Sequence, residues 1–213
     1  MSAEPGRDCP RCPRLAEFRV AQRAIHADWH NAPVPSFGTL EARLLIVGLA
    51  PGLKGANRTG RPFTGDYAGD LLYATLLKLG FARGGYAAQA DDGLELRDCR
   101  ITNAVRCVPP ENKPAPAEIA ACRSFLTEEI TAMPRLRAIL ALGAIAHGAV
   151  LKALAERKSA FPFKHGAVYA LRSGVTLADS YHCSRYNTNT GVLTTEMFES
   201  VLAELRRGLD AAR

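Results

Sequence analysis

The feature that most constrains the fold is a long glycine-rich loop between an apolar run and a helical pattern. Leu44 to Val47 is a short continuous apolar run that ends at Gly48, and apolar residues then recur at helical spacing through Leu79. In α/β proteins a buried strand leads through a loop into a helix, and ligands bind at the carboxyl ends of such strands. The segment 48–79 is therefore expected to form one wall of a pocket.

The remainder of the chain repeats the alternation of apolar strands and amphipathic helices. Further strands are predicted over residues 99–105, 136–142, 168–171 and 175–177, with helices between and after them. Strands that alternate with helices favour a parallel sheet covered on both faces. We expect a three-layer α/β/α sandwich around a central, largely parallel four-stranded sheet, with residues 1–213 forming a single domain.

Composition excludes few classes of protein but limits the partners. The chain carries 27 basic and 21 acidic residues, a formal net charge of +6, which permits a polyanionic partner without requiring one. Its apolar runs are too short to cross a membrane, and its N-terminus lacks the pattern of a signal peptide. We expect a cytoplasmic protein of bacterial or archaeal type with no membrane partner.

Four of the six cysteines are candidate metal ligands, because an intracellular chain rarely carries a disulfide framework. They form two pairs, Cys9 with Cys12 and Cys107 with Cys122. Four thiolates can bind zinc or an iron–sulfur cluster, and ligand chemistry alone does not choose between them. The wide second pair leaves four unrelated thiols as an alternative. For Cys99 and Cys183 we expect a role as small buried apolar residues.

Two aspartates stand where the glycine-rich loop enters its helix. Asp66 and Asp70 are four residues apart, so they can share one face of the helix. A carboxylate in a closed pocket can hold a water molecule as a general base, whereas the simpler role of Asp66 is a helix N-cap. Phe63 precedes them and is either a core residue or a platform on which a planar ligand stacks.

Polar residues also follow two other predicted strands. Asn103 offers donors and an acceptor in one plane, which suits the edge of a nucleobase, although an asparagine at a strand end often only caps a turn. His182 opens the sequence HCSRYNTNTG and can stabilise a developing anion or transfer a proton. The residues after it, Asn187 among them, suit a loop that contacts phosphates, to which Arg185 adds charge, or a plain polar loop.

Taken together, these motifs resemble those of the uracil-DNA glycosylase superfamily. GLAPG followed by GANRTGRPFTGD is similar to the first motif of its family 5, the type B iron–sulfur enzymes, and HCSRYNTNTG is similar to their second motif. The cysteine spacing, C-x2-C followed by C-x14-C, resembles that of the cluster ligands in families 4 and 5. Gly52 and Cys183 differ from the residues commonest in the family, which are alanine and proline.

The resemblance implies a role for each position. The loop containing Gly48, Ala50 and Gly52 would lie beside a base flipped out of DNA, and Phe63 would stack on that base. Asn103 would bind the pyrimidine edge. The same resemblance implies a [4Fe-4S] cluster on the four paired cysteines.

The catalytic groups follow from the same resemblance. His182 would stabilise negative charge on the departing base. Leu49 and Ala50 supply no acid to handle water, so Asp66 is the first candidate for that role and Asp70 the second.

The expected function is excision of uracil, and of other deaminated bases such as hypoxanthine, from DNA by a monomeric enzyme. Two alternatives stay open at this point. One is a divergent glycosylase closer to family 4, and the other is a non-catalytic iron–sulfur protein that binds nucleic acid. Cleavage of a uracil-containing oligonucleotide separates the enzymes from the binding protein.

Overall fold

The computed structural model describes residues 4–211, and its centre is one five-stranded sheet. Strands are numbered in chain order. The sheet contains β1 Leu44–Gly48, β4 Cys99–Asn103, β5 Ala138–Leu142, β6 Val168–Ala170 and β7 Thr176–Ser180. A separate antiparallel pair is formed by β2 Ala82–Arg83 and β3 Glu95–Leu96.

The sheet has the order β4-β1-β5-β7-β6, and every neighbouring pair is parallel except β6 with β7. The largely parallel sheet agrees with the prediction, but the predicted number of four strands was wrong. The sequence predicts five strands in all, and the structure places all five in this sheet, including β6, which turns back through residues 171–175 and pairs with β7 at the edge. The turn of that hairpin includes Gly174 at a φ of +80°, a conformation that glycine adopts without steric cost.

Seven α-helices surround the sheet in the described range 4–211. They are α1 Pro13–Ile25, α2 Ala56–Thr59, α3 Tyr67–Lys78, α4 Pro116–Thr131, α5 Ala144–Ala153, α6 Arg185–Asn189 and α7 Thr195–Ala211. None of these helices is both long and apolar enough to cross a membrane.

Alternate residues of β1 face opposite helical layers, as expected of a central strand. Leu44 and Ile46 pack in the cluster that contains the buried faces of α3 and α7. Leu45 and Val47 pack in a second cluster with α4 and α5. Both sides of the strand are fully buried, which explains why its sequence is a continuous apolar run.

Parallel pairing brings the carboxyl ends of the strands to one edge of the sheet. Gly48, the last residue of β1, pairs with Asn103, the last residue of β4. Ser180 ends β7 at the same edge, two residues before His182. Three separate sequence segments thus meet where the glycine-rich loop leaves the sheet.

A buried ion pair holds the far side of this loop. The guanidinium of Arg61 donates two hydrogen bonds of 2.8 Å to the carboxylate of Asp92, and both side chains are almost inaccessible to water. The Arg61 Nε also donates to Thr64 Oγ1 at 2.8 Å. These contacts lower the pKa of Asp92 well below its ordinary value, the bond from Arg61 being the main cause. The segment that carries Phe63 is therefore fixed to the chain around β3.

We expect Asp92→Asn to lower the free energy of unfolding by about 3 kcal/mol, because it leaves the buried Arg61 charge without its partner. Urea denaturation of the two proteins measures the difference. Asp91→Asn is the matched control, since Asp91 is the exposed neighbour and its replacement should change stability by less than about 0.5 kcal/mol. Equal losses of unfolding free energy in both variants would contradict a stabilising role for the Arg61–Asp92 ion pair.

Candidate active site

A cavity of about 570 Å³ opens at the edge of the sheet where β1, β4 and β7 end. Its volume is in the range of small-molecule sites. The residues predicted from sequence that line it are Ala50, Gly52, Phe63, Asp66, Asn103 and His182. Residues from three distant parts of the chain therefore share one pocket.

Phe63 packs against the end of β1 through an unusually close contact. A Cβ atom on Gly48 would lie 2.4 Å from Asn103 Oδ1 and 2.5 Å from Phe63 Cζ, so only glycine fits there. Gly48 thus lies behind the pocket rather than in its lining. Phe63 itself has a φ of +53°, which is rare for a bulky residue. The ring is 6% exposed and forms one side of the cavity.

Asn103 presents a polar atom that has no partner. Its side chain is 4% exposed, and Oδ1 accepts no hydrogen bond from the described residues. A buried acceptor without a donor is costly, and native proteins rarely leave one unmatched. Asn103 lines the cavity, so rotation of its amide about the Cβ–Cγ bond can turn Oδ1 away from Gly48 and towards a ligand donor.

His182 also lines the cavity, beside the aromatic ring. The ring centroids of His182 and Phe63 are 5.9 Å apart, with 29° between their planes. Burial lowers the pKa of His182, because it disfavours the charged imidazolium. Asn187 is not part of the pocket lining; its Nδ2 donates to the backbone oxygen of His182 at 2.8 Å. Asn187 therefore supports the loop that holds the histidine.

Asp66 is both a helix cap and a pocket residue. Its Oδ1 accepts a 3.3 Å hydrogen bond from the Gly69 backbone N–H, which caps α3. Its Oδ2 faces the glycine-rich loop, since a Cβ on Gly52 would lie 2.9 Å from it and one on Gly55 only 2.4 Å. Burial is the main influence on the Asp66 pKa and raises it, although backbone donors act in the opposite direction. One oxygen is committed to structure and the other faces the loop that lines the pocket.

Asp70 is one helical turn further along α3 and points elsewhere. It is exposed and does not line the main cavity; it lies instead in a separate depression shared with Thr194 and Glu196. The spacing of four residues predicted that the two aspartates share one helix face. In the structure Asp66 is the N-cap of α3, and its side chain turns inward. The structure thus brings Asp66, and not Asp70, to the other predicted groups.

Several pocket residues escaped the sequence analysis. Lys54, Tyr67 and Asn112 line the cavity. Arg185, which was expected to add charge to the loop after His182, lines it as well, and its guanidinium lies 5.2 Å from the centre of the Tyr67 ring. The signal for Lys54 was its position inside the glycine-rich loop. Asn112 had no comparable signal, because it comes from the proline-rich segment after β4.

The four paired cysteines converge about a second, smaller cavity. Cys9, Cys12, Cys107 and Cys122 all line it. They pack with a small apolar cluster that also touches Ala50, a residue of the main pocket. Burial raises the pKa of the Cys107 thiol to about 11. Within residues 4–211 no three His, Cys, Asp or Glu side chains form a compact group around a single-ion position.

The other two cysteines behave as expected. Cys99 and Cys183 are both fully buried in the apolar cluster beneath the sheet. Cys183 follows His182 directly, so its small side chain anchors the histidine loop to the core. The interpretation of both as small apolar residues is confirmed.

Sequence comparison identifies the family to which this site belongs. A model of the uracil DNA glycosylase superfamily matches residues 35–206. The chain belongs to the uracil-DNA glycosylase superfamily. The type-5 uracil-DNA glycosylase of Thermus thermophilus is 48% identical, with 93% of each chain covered. The type-5 enzyme of Pyrobaculum aerophilum is 45% identical over 92% of this chain and 86% of its own length.

Type-4 uracil-DNA glycosylases are less similar to this chain. A type-4 uracil-DNA glycosylase of Pyrobaculum aerophilum is 33% identical, covering 83% of this chain and 78% of its own length. The similarity thus favours the type-5 branch of the superfamily, in agreement with the two sequence motifs.

We expect Gly48→Ala to lower the free energy of unfolding by about 1–3 kcal/mol, because the added methyl overlaps Phe63 and Asn103. Chemical denaturation measures the loss. Gly148→Ala is the control: it lies in α5 with open space at its Cβ, so alanine there should leave stability unchanged or raise it by up to about 1 kcal/mol. A neutral Gly48→Ala would contradict the close packing described for the pocket wall.

Proposed function

We propose that this glycosylase-superfamily protein excises uracil from DNA by hydrolysing the bond between the base and deoxyribose. The observation that carries the proposal is a single cavity lined by the planar amide of Asn103, the ring of Phe63, the carboxylate of Asp66 and the imidazole of His182. The type-5 relatives, which are named for activity on uracil in DNA, support the same function.

Asn103 supplies the selection of the base. The edge of uracil presents an N–H between two carbonyl oxygens, so it can donate to Oδ1 while a neighbouring carbonyl accepts from the amide nitrogen. With the amide in that orientation, cytosine would place its N3 acceptor against Oδ1 and its amino donor against the amide nitrogen, so neither hydrogen bond would form. A site built to hydrogen-bond one base strongly rejects a base that leaves its buried polar groups unpaired. Phe63 offers one face of its ring, on which the base can stack.

His182 and Asp66 divide the chemistry between the two products of bond cleavage. As the N-glycosidic bond breaks, its electron pair goes to the base and positive character remains on the sugar. A neutral imidazole, favoured by the lowered pKa of His182, can donate a hydrogen bond to the carbonyl oxygen on which negative charge develops. The carboxylate of Asp66 accepts a proton from the water that attacks the sugar.

Groups around the rim of the pocket suit a DNA strand from which one base has been flipped. Lys54 and Arg185 line the cavity and are exposed, so they can contact phosphates. Tyr186 follows Arg185 in the short helix α6 and is 74% exposed. An exposed aromatic ring there can stack against the neighbouring bases and offset part of the cost of flipping.

Single-turnover cleavage of a labelled uracil-containing duplex tests the proposed roles. We expect Asp66→Asn to lower the rate about 10²- to 10⁴-fold, because it removes the general base. Asp70→Asn, on the same helix and outside the pocket, should stay within about threefold of wild type. The wild-type rate should fall on acidification at a higher pH than for an ordinary aspartate, since burial raises the pKa of Asp66. A full rate in Asp66→Asn would remove this residue from the mechanism.

The same assay separates the alternative functions. A matched duplex with hypoxanthine measures whether other deaminated bases are substrates. Tight binding of the uracil duplex without cleavage would favour a non-catalytic nucleic-acid-binding protein and would contradict the proposal.

We propose that the four paired cysteines hold a [4Fe-4S] cluster. The support is the donor set: four thiols that line one cavity fit the ligands of such a cluster. When bound, the group supplies a cross-link between the N-terminal segment and the loop after β4. Hydrolysis transfers no electrons, so the glycosidic step requires nothing further from it. Ala50 packs on the cysteine side as well as lining the pocket, which lets the cross-link support the pocket wall.

We expect purified wild-type protein to contain about four iron atoms per chain and Cys107→Ser to lose most of this iron, because one thiolate ligand is missing. Metal and sulfide analysis measures both. Cys99→Ala is the matched control, since Cys99 is a buried cysteine outside the site and should leave the iron content unchanged. Zinc in place of iron, or no metal in wild type, would overturn the cluster assignment.

A further inference from the structure

Arg19 of α1 is a buried cation that faces the cavity of the four cysteines. The residue is only 3% exposed and lines that cavity. Its Nη1 donates to Cys107 Sγ at 3.4 Å, and its Nη2 donates to the backbone oxygen of Cys9 at 3.1 Å. Its Nε is buried and has no partner among the described residues. The guanidinium therefore contacts both halves of the cysteine site.

No carboxylate in the described range lies at ion-pair distance from Arg19. The other arginines of α1 differ in this respect: Arg14 pairs with Glu118 at 2.7 Å, and Arg23 pairs with Asp8. Both of those arginines are more exposed than Arg19. Asp8 interacts with Arg19 electrostatically, but Asp8 is exposed and pairs with Arg23. A buried charge without a contacting counter-charge is strongly destabilising. The position is consequently suited to an anionic group in the cavity.

We infer that Arg19 is the counter-charge and a hydrogen-bond donor for the cluster, setting both its retention and its reduction potential. The inference rests on the proposed cluster. Four thiolates carry more negative charge than an iron–sulfur core carries positive charge, so the loaded site is anionic. Hydrogen bonds to the sulfurs and nearby charge are two of the means by which proteins adjust cluster potentials. Arg19 supplies both from a position shielded from water.

A purely structural role for Arg19 makes a different prediction. The bond from Nη2 to the Cys9 carbonyl ties the N-terminal segment to α1, and losing only that bond would loosen the ligand. It would accelerate cluster loss without moving the potential of the clusters that remain. The potential therefore separates an electrostatic role from a structural one.

The test compares reconstituted wild type with Arg19→Met, which removes the charge and keeps a long apolar side chain. We expect the rate of cluster loss to a chelator, followed by the visible absorbance, to rise about 10- to 100-fold. The reduction potential, measured by voltammetry, should become more negative, because less positive charge stabilises the added electron. Arg19→Lys keeps the charge and should retain a potential closer to wild type.

Arg11→Met is the matched control. Arg11 also lines the cavity, but it is exposed, and its guanidinium lies over Phe125. Water screens an exposed charge, so this variant should shift the potential much less than Arg19→Met. A cluster-loaded Arg19→Met with wild-type potential would overturn the inference, and so would Arg19→Lys with the properties of Arg19→Met. Absence of a cluster from wild type would instead overturn the cluster proposal on which the inference rests.

Discussion

The pocket depends on one close approach, at the place where β1 ends. Gly48 pairs with Asn103 across the sheet and has no room for a Cβ atom between the asparagine oxygen and the Phe63 ring. Parallel strand pairing fixes the contact between Gly48 and Asn103. The Arg61–Asp92 ion pair holds the segment that brings Phe63 against Gly48. The planar amide and the aromatic ring are thus set against each other by the backbone. The other pocket residues are arranged around this pair.

Much of this arrangement could be predicted from sequence, because the relevant signals are local. The apolar run of β1 ending at Gly48 gave the strand and its end, and parallel α/β topology predicts that Asn103 and the His182 loop meet there. Asp66 is identified as a cap by its position before α3. Its proposed role in handling water followed from the family resemblance. That its second oxygen faces Gly52 and Gly55, which have no side chains in the way, is seen only in the structure.

The other features of the site depend on contacts between distant segments, and the periodicity of a sequence does not predict such contacts. Nothing in the sequence around Asp70 indicates that it faces a different depression, and Asn187 resembles a phosphate-contacting residue until its bond to the His182 backbone is seen. The edge strand β6 is short, with alternating exposure, so its place in the sheet depends on pairing with β7. Arg19 resembles an ordinary polar helix residue in sequence; only the folded chain reveals that it is buried beside Cys107.

Phe63 has a further consequence that concerns the entropy of recognition. A bulky residue in the left-handed region of φ costs about 1–3 kcal/mol and persists only where its surroundings determine the conformation. Here the surroundings are the glycine behind the ring and the ion-paired segment beside it. The ring is therefore immobilised during folding, before any ligand arrives. An incoming planar group meets a rigid surface, and association costs the freedom of the ligand but little additional freedom of the protein.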